Sequence, residues 1–230
     1  LSLSLLSQES ESYKYSIEGQ AKYGFLIGHH PEVQRLSTQQ FPSFSLYVAH
    51  KTTGLREWHQ KYLNPEVGLG FYYSPLTNSN EIGDAYAVFG FTNLSLGKNS
   101  WQNLRMRFGF GPGYITRKFD PVDNNQNVAI GTHLNIFILV ELHQDIHIAK
   151  NTDLSLGVGI THFSNTGFTM PNLGYNLASV QLGLKYELGH QELNKTPIVS
   201  RDSSKWNNEV VFAYGRRQSQ LAKVHSNIYN

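Results

Sequence analysis

From about residue 15 onward, apolar and polar positions alternate with period two, in segments broken by clusters of Asn, Asp, Gly, Pro and Ser. Successive side chains of a strand point to opposite faces, so this alternation predicts an all-β chain. The clearest segment is 153–164. Leu154, Leu156, Val158, Ile160, His162 and Ser164 fall on one face, and Asp153, Ser155, Gly157, Gly159 and Thr161 on the other. Segment 178–188 sets Val180, Leu182, Leu184 and Tyr186 against Gln181, Gly183, Lys185 and Glu187, and 103–114 sets Phe108 and Phe110 against Arg105, Arg107 and Gly109. A long run from Val128 to Ile148 places Ile130, Leu134, Ile136, Ile138, Val140, Leu142 and Ile146 opposite His133, Asn135, Glu141, His143, Asp145 and His147. Strands near 15–27, 41–51, 66–75 and 84–96 bring the total to about eight, each long enough to cross a bilayer when tilted.

The polar faces carry Gly, Ser, Arg and His where a water-facing sheet would favour Lys, Glu and Thr. That composition fits the packed lumen of a small barrel whose apolar face looks outward. Closure satisfies every backbone hydrogen bond in lipid. The expected fold is therefore all-β, an eight-stranded antiparallel transmembrane β-barrel of the bacterial outer membrane. A soluble lipocalin-like barrel would need the apolar faces turned inward around a cavity.

Composition narrows the function classes. The 230 residues contain no cysteine, which excludes disulfides, thiolate metal sites and cysteine nucleophiles. The net charge is +2 without a basic run, so a nucleic-acid partner is not expected. No apolar stretch reaches the roughly 18 residues of a membrane helix. The opening Leu1-Ser-Leu-Ser-Leu-Leu-Ser marks residues 1–12 as a signal-peptide remnant or disordered N-terminus. After Leu188 the pattern weakens, and 190–230 is read as a linker with partial C-terminal strands around Trp206–Gly215. The chain stops at Asn230 without a terminal aromatic, which reads as a fragment.

The chemistry-bearing stretch is His162-Phe-Ser164-Asn165-Thr-Gly167-Phe-Thr-Met-Pro171-Asn172-Leu-Gly174-Tyr-Asn176. His162 and Ser164 lie two apart on one strand, so a base and a nucleophile share the edge of the lipid-facing stripe. The turn-formers that follow can return backbone N–H groups and amide donors toward the pair. The spacing His162-x-Ser164-Asn165, then Gly167, Pro171-Asn172 and Gly174, resembles the PagL-type lipid A 3-O-deacylases, eight-stranded outer-membrane barrels with a serine esterase site on the outer wall. The resemblance implies that Ser164 is the nucleophile, His162 its general base, and that Asn165, Gly167 and Asn172 meet the oxyanion. It implies lipid A or lipopolysaccharide as the partner and no cofactor or metal, with 13–189 as the deacylase barrel. The acyl chain would lie along Leu154, Leu156, Val158 and Ile160.

The family's acidic third member falls at Asn176, a departure from the pattern. An Asn carbonyl can still accept the imidazole N–H and fix its tautomer, but it brings no negative charge. The alternative function is thus a catalytically silent barrel with a structural or lipid-binding role. Glu187, a substitute acid, points to the opposite face by parity.

Other constellations are read as structural. Glu141, His143, Asp145 and His147 have metal-ligand spacing but fit a lumen network with Arg105, Arg107 and Lys185. Tyr72, Tyr73, Trp58 and Trp101 are expected in interfacial girdles. His29-His30 belongs to a loop, and Gly109-Phe-Gly111-Pro-Gly113 lacks the helix that a phosphate loop requires.

Overall fold

A computed structural model describes residues 12–28, 30–36, 39–76, 80–97 and 103–194. His29, Trp101, most of the N-terminal segment and the strand expected at 206–215 lie outside the described residues. Eight strands close into an antiparallel barrel in sequence order, each hydrogen-bonded to its neighbours and β1 to β8. They are β1 (Ser12–Leu26), β2 (Gln40–Lys51), β3 (Glu66–Pro75), β4 (Asp84–Ser95), β5 (Leu104–Ile115), β6 (Leu134–Ala149), β7 (Thr152–Ser164) and β8 (Tyr175–Gln191). Two short helices, α1 (Pro31–Gln34) and α2 (Glu57–Lys61), sit in the β1–β2 and β2–β3 connections. No helix among the described residues is long and apolar enough to cross a membrane.

Burial follows the alternation. Along β1 every second residue from Ser16 to Lys22 is buried, while Tyr15, Ile17 and Tyr23 are exposed. The outer wall is a continuous apolar belt, for example Leu46, Leu69, Val88, Val140, Val158 and Leu182, each about 40–67% exposed. Such a surface is unfavourable in water but matches hydrocarbon, and the closed ladder leaves no strand edge unpaired there. The fold is thus the transmembrane barrel expected, with its charge inside.

The lumen holds three layers. Toward the end where β7 finishes, Tyr72, Phe89, Phe137 and Phe163 pack ring on ring, with Phe89–Phe137 and Phe137–Phe163 centroids 4.7 and 5.2 Å apart. Room for them comes from Gly109 and Gly113, where an added Cβ would lie 2.8 Å from the Phe89 ring and 2.7 Å from the Phe163 ring. The glycine alternation in β5 is therefore a packing device. Below lies a fully buried ionic cluster, in which Glu141 meets Lys22 and Arg107, and Arg107 also meets Glu18. At the far end Glu66 pairs with Lys185 at 2.6 Å and Arg105 at 3.1 Å, and Arg105 reaches Asp145 at 3.0 Å. The inward charges of β1, β3, β5, β6 and β8 are paired with opposite charges on other strands, which is what makes burial of so many charges tolerable.

Several expectations need correction. Val128–His133 is not the start of a strand: β6 begins at Leu134, and Ile130 is fully buried in the β5–β6 connection rather than on the outer wall. Tyr72 is buried in the lumen, and only its neighbour Tyr73 faces out, where it packs on Tyr86 at 5.0 Å. His147 lies where β6 runs past the lumen, at a register shift, with its Nδ1 3.0 Å from Asp153 Oδ1. No metal-ligating group forms among the described residues.

Candidate active site on the outer wall

The β7 register fixes the site. His162 pairs with Asn176 on β8, and Ser164 pairs with Ile136 on β6. Both side chains are half-buried and continue the exposed stripe of Leu156, Val158 and Ile160, with Leu154 further along it. His162 Nδ1 stands 2.7 Å from Asn176 Oδ1. Because an amide oxygen only accepts, this contact places the proton on Nδ1 and leaves the Nε2 lone pair free to take one. Gly174, at φ +77°, lies against the imidazole, and an added Cβ would sit 3.0 Å from His162 Cε1. A side chain there would be strained and would push the ring.

Ser164 opens the β7–β8 connection. Its Oγ accepts from the Thr166 N–H at 3.1 Å and from Asn172 Nδ2 at 3.2 Å. The other amide atom, Asn172 Oδ1, accepts from the Asn165 N–H at 2.9 Å. Asn165 Oδ1 in turn accepts from the Gly167 N–H at 2.9 Å, and its Nδ2 donates to Thr169 O at 2.9 Å. The turn is thus a ring of donors folded back on the serine, and Thr166 takes φ +57° to close it. The structure joins His162 to Asn176 and Ser164 to Asn172, two pairs set two residues apart on the outer face of β7, and holds the Asn165 and Gly167 N–H groups within the turn's own hydrogen bonds. The Thr166 N–H has no signature in sequence, because any residue but proline could supply it.

A brace from the β5–β6 connection holds this turn in place. Ile130 forms a β-bridge with Asn172, and the Gly174 N–H donates to Ala129 O at 3.0 Å. Asn127 donates to Arg117 O and Glu81 O and accepts from the buried Tyr175 hydroxyl at 3.0 Å. In the same connection Asp120 accepts from the Val122 and Asp123 N–H groups, which hold its carboxyl below the ordinary range.

An apolar groove of about 600 Å³ begins at Ile160, two residues from His162 on the same face of β7, and runs along the wall toward the middle of the barrel. Val158 and Ile160 form one bank, Tyr23 and Phe25 the other, and the small Ala178 lies between them. Leu156 borders an adjoining depression with Ala21 and Leu182. Glu187 is on the opposite face and at the opposite end of β8, 4.0 Å from Lys185.

The family model described as lipid A 3-O-deacylase (PagL) matches residues 43–185. No curated protein matches the chain. Among solved structures, Neisserial surface protein A is 9% identical, with 76% of this chain and 97% of that one covered and a TM-score of 0.49. The outer membrane enzyme PagL is 16% identical, with 74% and 99% covered and a TM-score of 0.44.

Proposed function

The chain belongs to the lipid A 3-O-deacylase (PagL) family, and from that premise we propose that it is an outer-membrane serine esterase that releases an ester-linked 3-hydroxyacyl chain from lipid A. The observation that carries this reading is the placement of His162, oriented by Asn176, and Ser164, surrounded by donors, at the head of an apolar groove on the lipid-facing wall.

In the proposed reaction the ester carbonyl enters from the bilayer while its chain lies in the groove beside Val158 and Ile160. Ser164 Oγ attacks the carbonyl carbon as its proton passes to His162 Nε2. The oxyanion is met by Asn172 Nδ2 and by backbone N–H groups of the Asn165–Gly167 turn, which before substrate binds donate to Ser164 Oγ and to the amide oxygens of Asn172 and Asn165. Collapse breaks the ester C–O bond, and His162 returns the proton to the departing sugar oxygen. Water then cleaves the acyl-enzyme by the same route and leaves a free hydroxy acid. Asn176 keeps the imidazole in the productive tautomer throughout.

The test is mass spectrometry of lipid A after incubation with the detergent-solubilised protein. Loss of one hydroxyacyl mass is expected, together with covalent labelling of Ser164 by a fluorophosphonate. A folded barrel that changes neither lipid A nor the probe would sink the esterase reading.

One observation favours the second reading, a silent barrel. Asn176 supplies no charge to an imidazolium that forms 2.7 Å away. Asn176→Glu is therefore expected to raise kcat, since a carboxylate at that distance favours the charged ring by about one to three pK units, or roughly tenfold or more in rate. Asn176→Leu, which loses the acceptor, is expected to lower kcat with KM unchanged. Equal rates for all three chains would remove Asn176 from the mechanism.

A further inference from the structure

A second groove lies on the other flank of the dyad. It occupies about 360 Å³ and is formed by Phe110 and Pro112 of β5, Leu134 and Ile136 of β6, and Phe168 of the β7–β8 turn. It shares no lining residue with the groove at Ala178. Ile136 is the residue paired with Ser164, so the nucleophile stands between the two grooves. The backbone at Asn165 and Thr166 forms the near wall, with the Thr166 N–H donating to Ser164 Oγ and the Asn165 N–H to Asn172 Oδ1. Phe168 is 72% exposed at the edge of the turn, and its N–H donates to Asn165 O at 3.2 Å, which ties this aromatic wall to the donor ring.

Building on the esterase reading, we propose that this second groove holds another acyl chain of the same lipid, one that is not cleaved. In a bilayer the surrounding lipid tails are as apolar as the groove, so shape alone gives a free chain little advantage. A chain tethered to a headgroup whose ester already lies at Ser164 is present at far higher effective concentration. With the cleaved chain on the β8 side, the rest of the lipid projects toward β5 and β6, where this groove is walled by the serine's own turn, whereas the neighbouring depression at Phe108, Phe110 and Ile138 includes none of that turn. The substrate class is therefore a multiply acylated lipid, and an ester with one chain fills half of the site.

The test separates binding from turnover. In a Ser164→Ala background, native mass spectrometry in detergent measures occupancy by lipid A and by methyl 3-hydroxytetradecanoate. Leu134→Trp fills the groove and Phe168→Ala removes its outer wall, with far-UV circular dichroism to verify the barrel. Each is expected to weaken lipid A binding about tenfold, the advantage lost when the tethered second chain can no longer engage its groove. Binding of the single-chain ester should not change. Unchanged lipid A occupancy in both variants would overturn the proposal, as would equal losses for the two probes, which would make the groove part of the ester site. Should lipid A occupancy fall as expected while the protein with Ser164 intact releases no acyl chain, the esterase reading fails and the groove assignment stands.

Discussion

Ser164→Ala is expected to lower acyl release from lipid A by about ten-thousand-fold or more, equivalent to about 5 kcal/mol of transition-state stabilisation, while lipid A remains bound. In the proposed reaction this side chain forms the covalent intermediate, and without it the donors around it would have no tetrahedral oxygen to stabilise. Removal of Oγ takes one acceptor from Asn172 Nδ2 and the Thr166 N–H, but both groups are at the surface of the turn and can be rehydrated. The fold should therefore persist. Time-resolved mass spectrometry of lipid A reads the rate, and thermal unfolding in detergent reads the fold. Retention of more than a tenth of the rate by Ser164→Ala would require another nucleophile.

Glu141→Ala is expected to be the most destabilising single change in the lumen, costing about 3–5 kcal/mol. Glu141 is fully buried and answers both Lys22 and Arg107, so its loss leaves the Lys22 ammonium with only the neutral Tyr47 hydroxyl and Arg107 with Glu18 alone. The Tyr47 hydroxyl, 3.1 Å from the Glu141 carboxylate, also loses its acceptor. Urea unfolding in detergent micelles should show the midpoint fall. The double change Lys22→Met/Glu141→Leu removes both partners and keeps apolar volume, and it should recover much of the loss. A midpoint unaffected by Glu141→Ala would mean that water, rather than this carboxylate, balances the lumen charges.

Most of the barrel is legible in the sequence because one wall faces hydrocarbon and the other a packed interior, so hardly any strand position is indifferent to side-chain type. Val158 and Gly157 could not exchange places. The reading fails where that constraint ends. Val128 and Ile130 alternate with polar neighbours as a strand would, but Ile130 bridges to Asn172 and is buried by the turn it supports. Tyr72 and Tyr73 are the same residue type on opposite faces, and only register tells the hydroxyl bonded to Ser43 from the ring outside. His147 keeps the parity of His143, yet β6 has by then passed beyond the lumen. The His162–Ser164 pair is visible because two polar residues interrupt an apolar stripe. The Thr166 N–H and the second groove are not, since one is backbone and the other exists only after β5, β6 and the turn meet.

The ionic layers of the lumen bear on how the barrel is assembled. Lys22 comes from β1, Arg107 from β5 and Glu141 from β6, so the middle cluster is complete only when the first strand has met the later ones across the interior. A slip of one residue between any two strands would turn a whole row of side chains over, and carry ammonium, guanidinium and carboxylate groups into hydrocarbon. A partly inserted sheet with open edges would hold the same charges without their partners. Closure and charge neutralisation are therefore one event, and the barrel has little reason to linger in any register but its own.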